Sequence, residues 1–172
     1  VTSAFRIGHG YDLHRLKDGG TLMLAGVAVA HGISPVAHSD GDVVLHALVD
    51  ALMGAMGWGD IGERFANSDP RWKDAPSRVF VESVYGDVRR AGFGVVNLDV
   101  TILAERPKLS PFKEQMVQSL RGLLGGVECV NVKAGTNEGC DAVGRGEAIA
   151  AHVVVLLVNH GGAGATSSSP QT

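Results

Sequence analysis

The sequence predicts an α/β domain, of the α+β kind, in which one mixed β-sheet is covered by helices on one side. Three segments carry that expectation. Residues 42–56 are apolar except for polar interruptions at helical spacing, residues 96–103 alternate apolar and polar side chains, and residues 149–158 are rich in Val and Leu. The first pattern is that of a helix and the other two are those of strands. Helices and strands interleave without a regular βαβ period, which favours a mixed sheet. The 172 residues suit one domain with a sizeable core, assigned to residues 1–160 and followed by a tail over 161–172.

Taken in order, residues 5–14 read as a strand broken by Gly8 and Gly10. Asp12 and His14 are two apart, so in an extended segment they point to the same side. Alone, that pair reads as solvent-facing. Residues 16–20 look like a turn, residues 21–29 like a second apolar strand, and residues 32–37 like a loop. Ser39 with Asp42 three residues later reads as a capping box opening the helix over 42–56. Along it Asp42, His46 and Asp50 fall at i, i+4 and i+8, within roughly 80° of arc. A His on such a narrow ionisable stripe is either a metal ligand or a core histidine with a partner.

Residues 57–76 form a long irregular connection with Gly57, Gly59 and Gly62, of the kind that often binds a ligand. Ser77 caps a helix that Gly92 ends. Val96, Leu98, Val100 and Ile102 make the apolar face of the next strand. Beyond it Ser110 caps a third helix, with Pro111 as its first residue, ending near Gly125. Residues 130–134 form a short strand and residues 135–139 a turn. The Val-rich run over 149–158 favours a buried strand over a short helix. The Gly, Ser and Ala tail reads as disordered.

Composition narrows the function. A formal net charge of −3, with basic residues adjacent only in pairs, does not ask for nucleic acid. No apolar run reaches the roughly 18 residues of a membrane span. The glycine stretches lack Walker or Rossmann spacing. Cys129 and Cys140 show no metal-ligand spacing and are expected as packing residues in a reducing compartment. The chain opens on Val1, as a trimmed protein or one with an unusual start codon would.

The chemistry collects on Asp12, His14 and His46, two imidazoles and one carboxylate. Three such ligands with an open fourth position describe a catalytic zinc site. Asp42 and Asp50, one turn to either side of His46, are candidates to orient its second ring nitrogen. His38 and Ser39 sit at the helix start, where free N–H groups and the dipole favour an anion. Lys108 and Arg145 either hold further phosphate or are solvated surface charges.

Five ordered motifs then carry a resemblance. They are Gly8-His9-Gly10-Tyr11-Asp12-Leu13-His14, His38-Ser39-Asp40-Gly41-Asp42 with His46, Gly59-Asp60-Ile61-Gly62, Arg106-Pro107-Lys108, and Gly144-Arg145-Gly146-Glu147. Over residues 6–158 the chain resembles the 2-C-methyl-D-erythritol 2,4-cyclodiphosphate synthases of the non-mevalonate isoprenoid pathway. The resemblance implies a phosphorus-oxygen lyase that cyclises 4-diphosphocytidyl-2-C-methyl-D-erythritol 2-phosphate and releases CMP. It implies zinc on Asp12, His14 and His46, with Asp12 and His14 also touching substrate. A second divalent ion, Mg or Mn, would sit on Glu138.

His38 and Thr136 match the family's transition-state stabilisers. Substrate contacts would come from His38, Ser39, Asp60, Ile61 and Gly62, from Phe65, Ala66, Asn67, Ser68 and Asp69, and from Ala142 and Arg145. The cytidine pocket falls on Ala104, Glu105, Arg106, Pro107, Lys108, Leu109 and Ser110, with Gly135, Thr136, Asn137 and Glu138. The family is a homotrimer with active sites between subunits and a central cavity that accepts isoprenoid diphosphates. Arg145 and Glu147 match residues near the mouth of that cavity. Bacterial members would be cytoplasmic, and a trimmed plant or algal one would lie in the plastid stroma.

The sequence departs from the family pattern in three places. Gly135-Thr136-Asn137 replaces a run of threonines, Phe65-Ala66-Asn67-Ser68-Asp69 replaces a common Phe-Pro-Asp-Thr-Asp run, and Ala142 stands where an aromatic often closes the cavity. Competing expectations are a zinc phosphohydrolase, in which the open metal position activates water, and a non-catalytic isoprenoid-binding trimer.

Overall fold

The computed structural model describes residues 4–66 and 68–160. Five strands form one mixed sheet: β1 (Phe5–Leu24), β2 (Val27–Pro35), β3 (Phe93–Leu103), β4 (Cys129–Gly135) and β5 (Ala148–Asn159). Their order is β2-β1-β5-β3-β4. β1 runs antiparallel to both β2 and β5, β5 antiparallel to β3, and β3 parallel to β4. Helices α1 (Val43–Met56), α3 (Arg78–Arg90) and α4 (Lys113–Leu123) cover one face, and the short α2 (Ile61–Arg64) and α5 (Asp141–Gly144) sit in connections. The core lies between α1 and the inward-facing Ala151, Val153, Val155 and Leu157 of β5. The opposite sheet face is open, with Phe5, Ile7, Tyr11 and Leu13 exposed.

β1 is continuous, against the expectation of a strand broken at Gly8 and Gly10. A Cβ at either glycine would lie 1.8 Å from a carbonyl oxygen of α1, Ala51 O or Ala47 O respectively. These glycines therefore let the α1 backbone rest directly on the strand. The expected turn over residues 16–20 is also strand. Gly19 and Gly20 take positive φ there, and the pairing register with β2 shifts between Asp18 and Thr21. A bulge bends the ribbon without reversing it. The reversal comes at Ala25 and Gly26, both at positive φ, so the expected strand over 21–29 is split between β1 and β2.

Other boundaries differ for local reasons. A register shift between Val95 and Asn97 turns Val96 outward, so the apolar face of β3 holds only Leu98, Val100 and Ile102 of the expected four. Ser110 and Pro111 lie in a 3₁₀ turn, Ser110–Phe112, and α4 begins at Lys113. The connection over 57–76 contains α2 and a second 3₁₀ turn, Pro70–Trp72. Cys129 and Cys140 are exposed thiols, not packing residues. β4 is an edge strand and Cys140 precedes α5, so neither faces the core. The expected tail over 161–172 lies outside the described residues. No helix among the described residues is long and apolar enough to cross a membrane.

Candidate metal centre and a second pocket

Asp42 begins the site. It is the N-cap of α1, with Oδ1 accepting from the Val44 and Leu45 N–H groups at 3.1 Å. The same carboxylate accepts from Ala25 N–H at 2.9 Å and Gly26 N–H at 2.7 Å. Full burial pushes this carboxyl above the usual range, against the pull of the amides of Gly26, Leu45 and Ala25. The cap is thus Asp42 alone, not a box with Ser39, whose hydroxyl turns elsewhere. Four N–H groups on one carboxylate tie the start of α1 to the β1–β2 turn.

That anchoring sets His46, one turn into α1, over the even-numbered side chains of β1. Gly8 and Gly10 leave room for the helix, and Asp12 and His14 follow on the same face. His46 Nδ1 lies 3.0 Å from Asp12 Oδ2 and 3.2 Å from His14 Nε2, and His14 Nε2 lies 3.2 Å from Asp12 Oδ2. A tetrahedral ion bound at about 2.0–2.1 Å separates its ligand atoms by about 3.3 Å. Three donor atoms converging at nearly that spacing fit such an ion. Burial holds the His14 imidazole below its ordinary pKa, the Asp12 charge opposes this, and His46 adds to it. The neutral ring is the ligating form. Among the described residues no other group of three His, Cys, Asp or Glu side chains converges in this way.

Neither carboxylate expected to orient His46 does so. Asp42 is spent on its four amides. Asp50 accepts the Ile61 N–H at 2.7 Å and so fastens the entry of α2 to α1. Burial chiefly raises the Asp50 pKa; the Ile61 amide opposes this, and the charges of Asp60 and Asp12 add to it. The second nitrogen of His46 faces two hydroxyls instead, Ser77 Oγ at 2.9 Å and Ser39 Oγ at 3.1 Å.

The triad forms the floor of a cavity of about 350 Å³, walled by Ser39, His38, Val36, Ala37, Ile61, Gly62, Phe65, Trp72 and Phe80. Phe65 lies tilted against Phe80 at 4.7 Å and meets Trp72 edge-on at 5.2 Å. His38 is exposed at the mouth, its carbonyl accepting the Asp74 N–H at 2.7 Å. Sequence reasoning missed Trp72, Phe80, Val36 and Ala37. The one available signal was the aromatic Trp72, one of three in the connection over 57–76 with Trp58 and Phe65. Of the expected substrate loop, Asp60 is turned to capping α2 and Asp69 to capping the 3₁₀ turn and pairing with Arg71. Ala66 and Ser68 are exposed, and Asn67 lies outside the described residues.

A second pocket of about 220 Å³ is lined by Ala104, Glu105, Pro107, Lys108, Leu109, Ser110, Ala134, Gly135 and Thr136. It opens where the parallel strands β3 and β4 end side by side, Leu103 opposite Gly135. Crevices of this kind at the carboxyl ends of parallel strands commonly hold ligands. The Thr136 hydroxyl donates to Glu138 at 2.9 Å and Asn137 donates to Asp141. Arg106 is exposed beside the pocket. Ala142 packs with Val143, Ala148, Ala150 and Leu103 in a small separate cluster, and Arg145 pairs with Glu147 at 3.0 Å. The two pockets share no lining residue, so a single chain places His38 and Thr136 in different cavities.

Comparison with known proteins bears on this pair of pockets. The model of the YgbB family matches residues 5–158. A chloroplastic 2-C-methyl-D-erythritol 2,4-cyclodiphosphate synthase from Catharanthus roseus is 49% identical over 156 residues, covering 90% of this chain and 66% of the relative. The chain therefore spans just under two thirds of that plant protein. A synthase of the same description from Xanthomonas oryzae pv. oryzae is 51% identical over 154 residues, covering 89% of this chain and 94% of the relative. A solved 2C-methyl-D-erythritol-2,4-cyclodiphosphate synthase in a CDP-bound form superimposes with a TM-score of 0.81 at 38% identity, covering 88% of this chain and 99% of that one.

Proposed function

Because the chain belongs to the YgbB family, we propose that it is a 2-C-methyl-D-erythritol 2,4-cyclodiphosphate synthase acting in isoprenoid precursor synthesis. The reaction is the cyclisation of 4-diphosphocytidyl-2-C-methyl-D-erythritol 2-phosphate, a phosphorus-oxygen lyase step. An oxygen of the 2-phosphate forms a bond to the β-phosphorus while the bond from that phosphorus to the bridging oxygen breaks. CMP leaves and no water is consumed. The observation that carries this reading is the convergence of Asp12 Oδ2, His14 Nε2 and His46 Nδ1 on the floor of an open cavity.

The residues have separable tasks. A phosphate monoester has a second pKa near 6, so the attacking phosphate is about 90% or more doubly ionised at neutral pH and asks for no strong general base. The demand is to bring two anions together in line. Asp12, His14 and His46 would hold zinc, and Glu138, with substrate phosphates, would hold Mg or Mn in the usual manner of that ion. Bound there, the ions supply Lewis acidity and neutralise phosphate charge. His38 at the mouth and Ser39 offer donors to phosphate oxygens. The wall of Ile61, Phe65, Trp72 and Phe80 excludes water from the reacting phosphates. The pocket of Pro107, Lys108, Gly135 and Thr136 suits a cytidine nucleotide, with Lys108 as a cation for its phosphate.

A substrate spanning two pockets with no common lining residue suits an active site completed by a neighbouring subunit. The open sheet face, with Ile7 72% and Phe5 56% exposed, supplies an apolar surface for that assembly. We therefore assign a homotrimer with sites between neighbours. Ala142 in place of an aromatic leaves its central cavity loosely closed and its affinity for isoprenoid diphosphates low. The chloroplastic and bacterial relatives point to plastid stroma or bacterial cytoplasm as the compartment. Phosphorus NMR of the purified protein with substrate and Mg tests the reaction. Cyclic diphosphate and CMP in equal amounts are expected, whereas inorganic phosphate would mark a hydrolase and an unchanged spectrum a non-catalytic protein.

A further inference from the structure

Ser77 occupies the N-cap position of α3 yet makes no side-chain cap bond, and its φ of −61° and ψ of −20° are helical instead of extended. It is also fully buried. A serine at this position ordinarily turns its oxygen back to a free amide of its own helix. Here the hydroxyl points away, between Asp40 Oδ1 and His46 Nε2. Asp40 in turn accepts the Ser77 N–H at 3.0 Å and the Asp42 N–H at 3.3 Å. A chain of polar groups thus runs from Asp40 through Ser77 to the back of a triad histidine.

The donor and acceptor count fixes its direction. An ionised carboxylate only accepts, so the single Ser77 hydroxyl hydrogen is committed to Asp40. Ser77 Oγ can then only accept from His46, and Nε2 of His46 must carry the ring proton. A metal ion held with Asp12 and His14 needs the lone pair of Nδ1, the atom that faces them, so a proton kept on Nε2 by Ser77 Oγ leaves His46 ready to ligate through Nδ1. Ser39 does not impose this. Its oxygen accepts the Gly41 N–H at 3.2 Å, and its hydroxyl hydrogen remains free to suit either tautomer of His46 or a ligand in the cavity.

We propose that Ser77, held by Asp40, is a positioning residue that sets His46 in its metal-binding tautomer. The proposal rests on the reading of Asp12, His14 and His46 as a metal centre. It replaces the expected carboxylate partner of a ligating histidine by a hydroxyl relayed to a carboxylate. Partners of this kind are worth roughly 10–100-fold in metal affinity. The relay also joins the His38–Asp42 segment to the start of α3, so the metal floor and the Phe80 wall of the cavity are set by one group.

The test uses the full chain, freed of metal and titrated with zinc alone against a competing chelator, with histidine nitrogen NMR on the metal-free protein. Wild type should show His46 protonated on Nε2. Ser77→Ala should weaken zinc binding about 10–100-fold and give a mixture of His46 tautomers, while Ser39→Ala should keep the wild-type tautomer. Asp40→Asn, which retains the hydroxyl but loses the anionic acceptor, should fall between. A wild-type His46 that carries no proton on Nε2 would overturn the proposal without any variant, even if Ser77→Ala does not fold. Unchanged zinc affinity and tautomer in folded Ser77→Ala would also overturn it. Failure of the metal-centre reading looks different: wild type and His46→Ala would then take up zinc equally.

Discussion

In the metal pocket the donor atoms come from one strand and one helix, backed by buried hydrogen bonds, whereas the loop pocket is lined largely by exposed backbone and side chains beyond two strand ends. His46 sits on a helix pinned by four amides to Asp42 and resting on Gly8 and Gly10. Lys108, Gly135 and Thr136 are exposed. The contrast follows from what each must do. A small ion demands donor positions good to a few tenths of an ångström, which regular elements hold better than loops. A nucleotide has many contacts and must enter and leave, so an open crevice serves it.

The largest expected effect tests the rigid side. His46→Ala leaves two ligands, which do not retain zinc well, and should lower turnover by about 1000-fold or more if Lewis acidity supplies several kcal/mol. Elemental analysis should find the zinc lost, with the circular dichroism of the folded chain preserved. Stoichiometric zinc and normal CMP release would return His46 to the role of a core histidine.

Gly10→Ala probes the same side through packing. The added Cβ would stand 1.8 Å from Ala47 O and 2.8 Å from Ala51 N. Backbone atoms cannot swing aside as a side chain does, so α1 must lift from β1. Overpacking of this severity should cost about 3 kcal/mol in urea denaturation, and zinc affinity should fall with it because His46 leaves Asp12 and His14. A variant as stable as wild type would mean that the helix is not seated on the strand as described.

On the open side the effect should be smaller and confined to binding. Lys108→Ala should raise the dissociation constant for a cytidine nucleotide about tenfold, the loss of roughly one charge-assisted contact, with zinc retained. Mixing denatured Lys108→Ala and His46→Ala chains and refolding them together sharpens the comparison. If sites lie between subunits, some mixed trimers regain an intact triad facing an intact Lys108. Activity at low substrate should then exceed the sum of the separate proteins. No gain would mean that both pockets act within one chain.

What the sequence made legible follows the same division. The helix over residues 42–56, the buried strand over 149–158 and the triad were readable because periodicity and spacing report regular elements. The continuity of β1 was not. Gly8 and Gly10 read locally as breaks, and only a neighbour 37 or more residues away gives them their purpose as close-contact positions. The turn at residues 16–20 failed for a related reason, since paired glycines suit a bulge as well as a reversal. The partner of His46 was sought one helical turn away, among Asp42 and Asp50, but came from Ser77 on another helix. The five motifs marked both pockets, yet nothing local showed that they are separate.

The smallest expected effect lies on the strands below the loop pocket. Asp99 of β3 accepts from Lys133 at 2.5 Å and Asn131 at 2.9 Å, both on β4. The Lys133 hydrogen bond first, and Asn131 second, hold the Asp99 carboxyl below its ordinary pKa. A depressed carboxylate pKa contributes stability that is present above the unfolded pKa of about 3.9 and is lost as pH falls through the folded value. Because both partners are well exposed, water and salt screen the pair, and its worth at neutral pH should be under about 1 kcal/mol. Asp99→Asn should therefore be slightly less stable than wild type in urea at neutral pH. The difference should fade once pH drops below about 4 and also in about 1 M salt, where the screening length is near 3 Å. A loss above about 2 kcal/mol, larger than exposed pairs give, would show the β3–β4 edge to be braced as firmly as α1, and the contrast between the two pockets would then rest on their loops alone.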